Sequence, residues 1–486
     1  MILDALKKHI DCAEAVLAET GDFSSEDPMT WTLDLKGVDI VCKEGVSWSF
    51  YEKVNNWLKG KPGRRLFFIE DQFPRLKALT LHPNALLLLN NPCVKIFFLE
   101  SPIQKDAIAK KIGWLCAFKQ LHIVGENWAK LIEPYHLAAH SIASDAADFG
   151  VGVLRHLKLN HQRPLRNLAS LKGSLKGIPA VICGAGPSLE QNGHLLNEWK
   201  GNALLIAAGS SIHSIKTAPD LAVAFDPHSP VVRKQYFDVP LCMQSRVHPD
   251  SFIDVTGDLL YFPEAHFAFE AWIAGLEEPF DSGWTAGTAG VAIAAHLGCS
   301  PIVLVGMDYC YRGKQKYADQ KKQGSGTPLV RVEDGNGAIV WTQRDWLLAI
   351  SWLEQFALSH PETSCINGTM GGMEIPGFPR ATFTPTSQLN VTFDTLFKSS
   401  KSLPNSSERL RLWLESLQRC HRTELTEIPD DEIAQELLLE PLWQIWAPLF
   451  ERELMADLEP ISMAEKMAIQ KFLFFNQVIE EHLHVE

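Results

Sequence analysis

Cysteine is scattered rather than patterned: ten residues in 486, with no pair in CxxC spacing. That removes support for zinc-site and thioredoxin-like readings and leaves reduced thiols of a cytosolic protein as the expected state. Basic tails and basic runs are missing, and the net charge is −13. Nucleic acid is therefore not expected as the main partner, because neutralising phosphates dominates such binding. An anionic ligand stays open, provided helix dipoles and backbone N–H groups hold it. Long apolar runs are missing too. Leu86–Leu89 is far too short to span a bilayer. Met1-Ile-Leu-Asp-Ala-Leu-Lys-Lys carries an acid early and has no apolar core with a cleavage site. The expectation is no transmembrane segment, no signal peptide and, by elimination, a cytoplasmic protein. The Gly-x4-Gly-Lys-Ser/Thr motif is absent, which counts against a P-loop kinase. His9, His82, His122 and His161 show no ligand spacing, no Ser-His-Asp set is deducible, and no metal site is expected.

What is present is an ordinary globular composition, 46% hydrophobic and 21% charged, over a length that calls for two or three domains. Residues 1–20 read as an amphipathic helix. From about 37 to 125, apolar runs at Val38–Cys42, Arg65–Ile69, Val94–Leu99 and Leu121–Val124 alternate with helical pieces at Tyr51–Leu58 and Pro102–Phe118. That alternation predicts a small parallel α/β unit over residues 1–125. Its first strand leads into Lys43-Glu-Gly-Val-Ser-Trp, with one glycine and an acid where a nucleotide loop wants several glycines. No nucleotide is expected there. Glu70 and Asp71 at the next strand end are candidates for a ribose contact, with an ordinary exposed carboxylate the favoured reading. Residues 126–175 read as a helical linker, 176–385 as an open sheet, and 386–486 as an all-α tail with a capping box at Ser462 and Glu465. The expected fold class is α/β: a doubly wound, mostly parallel, Rossmann-like sheet with a smaller N-terminal α/β unit and a helical C-terminal tail. Residues 311–340, rich in lysine, glutamine and glycine, read as a mobile loop or hairpin and a natural lid. A helix is expected over Trp341–Leu358.

The central sheet is organised around Val181-Ile-Cys-Gly-Ala-Gly-Pro-Ser-Leu-Glu190. An apolar strand runs into Gly184, Ala185 and Gly186, which permit a tight turn. Pro187 suits a first helical turn, and Ser188 with Gln191 is placed for a capping box. A strand, a glycine turn and a helix start together make an anion site. Any βα turn also favours glycine and any helix a serine cap, so local pattern leaves both readings open. Three further strand ends carry glycine, serine or aspartate: Gly209-Ser210, Asp226 and Gly306–Tyr309. Ligands of doubly wound sheets sit beyond the carboxyl ends of strands. Asp226 is a candidate for a sugar or ribose hydroxyl, against an Asp-Pro turn initiator. Asp308 is a candidate base or ligand-positioning group, against a turn cap. Thr285, Ala286, Gly287 and Thr288 are placed to offer N–H and hydroxyl groups to an anion, against a tightly packed helix start. Tyr309, Tyr311 and Tyr317 are candidate phosphate donors, against packed strand-end aromatics. His228 and His248 sit in proline-containing turns, where a lone histidine is more often bystander than catalyst.

Taken in order, Cys183-Gly-Ala-Gly-Pro-Ser-Leu189, Ala218-Pro-Asp-Leu-Ala-Val-Ala-Phe-Asp-Pro227, Thr285-Ala-Gly-Thr288 and Leu297-Gly-Cys-Ser-Pro-Ile-Val-Leu-Val-Gly-Met-Asp-Tyr309 resemble the core of the motility accessory factor glycosyltransferases. The exit Ile366-Asn-Gly-Thr-Met-Gly-Gly-Met-Glu-Ile-Pro-Gly377 resembles the same family. The shared domain is also named for the archaeal 6-hydroxymethylpterin diphosphokinase, the MptE-like domain. The resemblance covers about 165–380 well and the N-terminal unit more loosely. It implies transfer of a sialic-acid-like nonulosonic sugar from a CMP-activated donor to a protein Ser/Thr hydroxyl, with no obligatory metal. The core is also similar to bacterial CMP-sialic-acid-using sialyltransferases. That likeness implies that Gly184–Ser188 lines the CMP phosphate and sugar, that Gly209 and Asp226 stand where asparagines contact the nucleotide sugar, and that Thr285–Gly287 is the donor-binding turn. It implies phosphate-binding roles for Tyr309 or Tyr311 with Tyr317. Those sialyltransferases carry a catalytic histidine before the helix that follows. This sequence has Trp341-Thr-Gln-Arg-Asp345 there, so no general base is assigned. The alternatives are pyrophosphoryl transfer from ATP, with Mg²⁺ on Asp226 and Asp308, and a non-catalytic relative that binds without turnover.

Overall fold

The computed structural model describes residues 1–18, 39–43, 48–60, 63–117, 121–124, 126–149, 152–227, 232–263, 268–276, 280–313, 329–384, 393–403, 407–421, 424, 431–454 and 462–483. Two compact units form, one from Met1–Asp148 with Leu442–Asn476 and one from Phe149–Pro441 with Gln477–Glu486. Among the described residues no helix is long and apolar enough to cross a membrane.

The first unit is built on four parallel strands, β1 (Asp39–Lys43), β2 (Arg65–Glu70), β3 (Val94–Phe98) and β4 (Leu121–Val124), in the order β3-β2-β1-β4. Successive side chains of a strand point to opposite faces. Ile40, Cys42, Leu66 and Phe68 accordingly enter one core, with Phe50, Val54, Leu76 and Leu88 from the covering helices. Val41, Phe67 and Ile69 enter the other, against Ile112, Trp128 and Ile132. Both faces are covered, which is why the interiors of the central strands, Ile40–Cys42 and Leu66–Ile69, read as unbroken apolar runs. The first twenty residues do not make one helix. Two short ones, Ile2–Lys7 and Ala13–Ala18, meet at a turn.

The second unit holds an eight-stranded, all-parallel sheet. Its strands are β5 (Leu165–Asn167), β6 (Ala180–Cys183), β7 (Leu204–Ala208), β8 (Leu221–Ala224), β9 (Leu241–Met243), β10 (Leu259–Tyr261), β11 (Ile302–Val305) and β14 (Cys365–Asn367), in the order β14-β11-β6-β7-β8-β9-β10-β5. Alternate residues again divide between two cores. Ile182, Ile206, Val223 and Leu304 pack with the helix Ala286–His296 on one side. Val181, Leu205, Ala224 and Val303 pack with Leu189, Trp199 and Ile212 on the other. A hairpin of β12 (Val330–Glu333) and β13 (Ile339–Thr342) stands apart from this sheet.

Three expectations change, and one, the hairpin within 311–340, holds. The 126–175 stretch is more than a helical linker, because β5 closes one edge of the sheet; three residues are too few for a periodic signal. Trp341 and Thr342 end a strand, and the helix begins at Arg344. The 311–340 stretch contains the hairpin, while 314–328, and Tyr317 with it, lie outside the described residues. The stretch after 386 is helical but divides between the units, because its apolar faces find different partners. Trp413 meets Phe269 at 5.0 Å between ring centroids in one unit, and Glu451 pairs with Lys95 at 2.7 Å in the other. The Ser462–Glu465 capping box forms as expected, with Ser462 Oγ 2.7 Å from Glu465 Oε2 and the Glu465 N–H donating to Ser462 Oγ at 3.2 Å.

Candidate active site

Strand order reverses between β6 and β11, so the crevice beyond their carboxyl ends is where a doubly wound sheet takes its ligand. The two turns leaving those strands are interlocked. The Gly184 N–H donates to Val305 O at 2.7 Å and the Gly186 N–H to Gly306 O at 2.8 Å. A side chain on Gly184 would overlap the Gly306 carbonyl, and one on Gly186 would overlap the Asp308 carboxylate. The Ser188 hydroxyl donates to Asp308 Oδ2 at 2.7 Å, and the Ser188 N–H donates to the same carboxylate at 3.2 Å. Asp308 is buried. Burial raises its pKa, while the Ser188 hydrogen bonds and the Arg312 charge act against that shift.

Gly184, Ala185, Gly186, Pro187 and Ser188 are the residues expected to line a donor phosphate, and these bonds commit the Ser188 hydroxyl and N–H within the chain. The acceptor already seated on Ser188 is Asp308 of the same chain. No Ser188–Gln191 capping box forms, since the serine hydroxyl is committed elsewhere. Only four residues, Leu189–Asn192, are helical before the chain tightens into a 3₁₀ turn at Gly193–Leu195. So short a helix has little dipole to offer.

The helix Ala286–His296 is different. Thr285 and Thr288 form a reciprocal capping box: the Thr288 N–H donates to Thr285 Oγ1 at 3.2 Å and the Thr285 N–H to Thr288 Oγ1 at 2.9 Å. Its small residues let it lie close on the sheet, where a side chain on Gly290 would come within 2.9 Å of Ile182 Cγ2. Gly298, at φ 86°, follows the helix and lets the chain turn away. Among the described residues, none accepts from the Ala286 or Gly287 N–H. Eleven residues of aligned peptide dipole thus end in two uncommitted donors beside a partly exposed threonine.

Tyr309 stands next to this helix start. Its backbone is left-handed, φ 51°, and Thr342 Oγ1 donates to its carbonyl at 2.6 Å. The phenol oxygen is buried with no hydrogen-bond partner. Burial pushes its pKa up; the Thr285 hydroxyl nearby pulls it back a little without reaching hydrogen-bond geometry. A buried hydroxyl in that position is short of an acceptor.

Gly209, at φ 55°, ends β7, and a side chain on it would come 3.2 Å from Ala286 Cβ. Met307 fills the space between the two turns, its thioether lying where side chains on Gly184 and Gly287 would go. Gly184, Gly209, Gly287, Thr285, Asp308 and Tyr309 are therefore brought together. Asp226 lies beyond the next strand, whose Val223 carbonyl accepts from the Gly209 N–H at 2.9 Å. It is exposed at the tip of β8, two strands from β6, where its carbonyl accepts from the His248 N–H at 3.4 Å. His248 Nδ1 accepts from the Asp250 N–H at 3.2 Å. His228 lies outside the described residues. Tyr311 is buried and its hydroxyl accepts from Gln343 Nε2 at 2.6 Å, so the residue before the Arg344 helix is tied to a tyrosine. No group of three His, Cys, Asp or Glu side chains that could hold a metal occurs among the described residues. Met307 was not legible as a site residue: it reads as one more apolar position, and only the opposed glycines mark its place.

Residues 153–314 match the family model described as 6-hydroxymethylpterin diphosphokinase MptE-like. No curated protein sequence matches the chain. A solved structure of a Maf glycosyltransferase from Magnetospirillum magneticum AMB-1 shares the fold, with a TM-score of 0.50, 16% identity, and coverage of 92% of this chain and 74% of that one. The family model spans the glycine turn at Gly184 and the strand end at Asp308, and the solved structure shares the fold of the chain.

Proposed function

We propose that the chain is a glycosyltransferase that moves a nonulosonic, sialic-acid-like sugar from a CMP-activated donor to a protein hydroxyl. The observation that carries the reading is the pair of uncommitted N–H groups at Ala286 and Gly287, set beside the buried Tyr309 phenol at the sheet's switch point. Negative charge grows on the phosphate of CMP as the bond to the sugar breaks. Fixed N–H donors and a phenol in a site shielded from water stabilise that charge without rearranging. Thr285 keeps the helix start rigid, and Gly209 leaves room for a ligand to approach Ala286. Asp308 serves here as an internal anion that holds the first turn closed, and so as a positioning residue. Asp226 is the candidate contact to the sugar or acceptor. The fold shared with a solved Maf glycosyltransferase supports the class, and ten free thiols suit a reducing cytoplasm.

The second reading is pyrophosphoryl transfer from Mg-ATP to a hydroxymethylpterin, which the family description favours. It needs Asp226 and Asp308 to share a metal. They end strands separated by two others, and Asp308 is already bound by Ser188.

Incubation with a CMP-linked nonulosonic acid should release CMP and should label a Ser/Thr-rich acceptor protein. Release of AMP from Mg-ATP with the pterin, and none of CMP, would move the assignment to the kinase. Tight CMP binding without turnover would mark a non-catalytic relative.

A further inference from the structure

An acid stands on a helix face that is otherwise apolar and turned inward. The helix Arg344–Ser359 packs on the sheet through Ala349, Leu353 and Phe356, with Leu348 buried and Trp352 partly buried beside them. Those positions recur every three or four residues, as one stripe of a helix does. Carried back one turn, the stripe reaches Asp345, four residues before Ala349 and seven before Trp352. Asp345 therefore lies half-buried on the inward face of the first turn.

That face meets the segment leading into the Ala286 helix. Trp352 Nε1 donates to Asp281 Oδ1 at 2.9 Å, and a side chain on Gly283 would come within 2.8 Å of the Trp352 ring. The head of the helix is pinned to the two tyrosines. Thr342 Oγ1 donates to Tyr309 O at 2.6 Å, Gln343 Nε2 donates to the Tyr311 hydroxyl at 2.6 Å, and the Trp346 and Tyr311 rings are 5.3 Å apart between centroids. These three residues bracket Asp345 in the chain and fix where it stands. Burial raises the Tyr309 pKa, and the Asp345 charge raises it further, so the carboxylate faces the phenol without bonding it.

We propose, on the glycosyltransferase reading, that Asp345 is the general base, the group that takes the proton from the acceptor hydroxyl. In one displacement the acceptor oxygen bonds the anomeric carbon, and its proton moves to the Asp345 carboxylate. The bond from that carbon to the CMP phosphate breaks, and its electron pair leaves on the phosphate oxygen. Ala286, Gly287 and Tyr309 face the leaving side and Asp345 the attacking side, a division that an inverting transfer requires. A carboxylate in the first turn of a sixteen-residue helix sits at the positive end of its peptide dipoles, which favours the charged, proton-accepting form.

The test compares full-length wild type, Asp345→Asn and Asp345→Ala on whichever CMP-linked nonulosonic acid the wild type turns over. Transfer to the protein acceptor should fall about 10²–10⁴-fold in both variants, the usual contribution of a general base. CMP affinity by calorimetry should stay close to that of the wild type. Azide attacks without a proton to lose, so with sodium azide as acceptor both variants should form the glycosyl azide at nearly the wild-type rate. If Asp345→Ala fails to fold, Asp345→Asn carries both arms. Protein transfer at the wild-type rate in Asp345→Asn overturns the proposal and leaves the glycosyltransferase reading standing. Loss of CMP affinity together with loss of the azide product makes Asp345 a structural group and also overturns it. A wild type that turns over no CMP-linked sugar removes the glycosyltransferase reading and the base with it.

Discussion

Two helix starts at the same edge of one sheet, Gly184–Ser188 and Thr285–Thr288, look alike as sequence: small residues, glycine, and a hydroxyl near the first turn. Their difference lies in what their donors already hold. At the first, the N–H groups of Gly184, Gly186 and Ser188 serve the β11 turn, and the helix that follows is four residues long. At the second, two hydroxyls cap each other and leave the Ala286 and Gly287 N–H groups uncommitted at the head of eleven helical residues. The lesson is that a glycine turn is an anion site only if the fold has left its amides unspent.

The largest expected effect concerns the first turn. Asp308→Asn should cost about 1.5–3 kcal/mol, the usual value of hydrogen bonds to a charged group. Burial raises the Asp308 pKa from its ordinary 3.8, so the folded state binds that proton more tightly than the unfolded one. The resulting contribution is fully present below 3.8 and is lost as pH rises through the folded value. The wild type's advantage over the variant should therefore grow as urea unfolding is repeated from neutral pH toward acid. A constant advantage would put the ionised carboxylate out of the account.

One substitution made at both turns sharpens the contrast. Gly184→Ala drives a methyl into the Gly306 carbonyl and should cost about 1–3 kcal/mol, as overpacking does. Gly287→Ala meets only the movable end of Met307 and should change stability by less than about 1 kcal/mol. Denaturant midpoints in the opposite order would break the comparison.

Smaller again is the cap. Thr285→Val removes one hydroxyl of the reciprocal pair and should cost about 1 kcal/mol. It should weaken CMP binding as well, by loosening the helix start. Tyr309→Phe comes last in stability and is the most telling. Its hydroxyl has only the Thr285 hydroxyl close by and no well-formed hydrogen bond, so the variant should be about as stable as the wild type. Calorimetric titration should show its CMP affinity down by about tenfold. A clear loss of stability with affinity unchanged would make the phenol a structural group.

Much of the fold was legible because buried parallel strands must be apolar throughout. β2, β6, β7, β8 and β11 each stand out as an unbroken run, and the strand ends marked the correct edge. Leu165–Asn167 and Cys365–Asn367 were not legible, since three residues show no period. The site was half legible. Gly184–Ser188 and Thr285–Thr288 were visible as turns. That Asp308, 120 residues from Ser188, occupies the first was not, because no local pattern records which distant carboxylate a turn will meet.

The return of Leu442–Asn476 to the first unit has a consequence for the chain as it is made. Residues of the first unit are made long before they acquire all their neighbours: Lys95 waits for Glu451, some 356 positions later. Until then the nascent N-terminal sheet must survive with part of its apolar surface in water, where chaperones or premature association would find it.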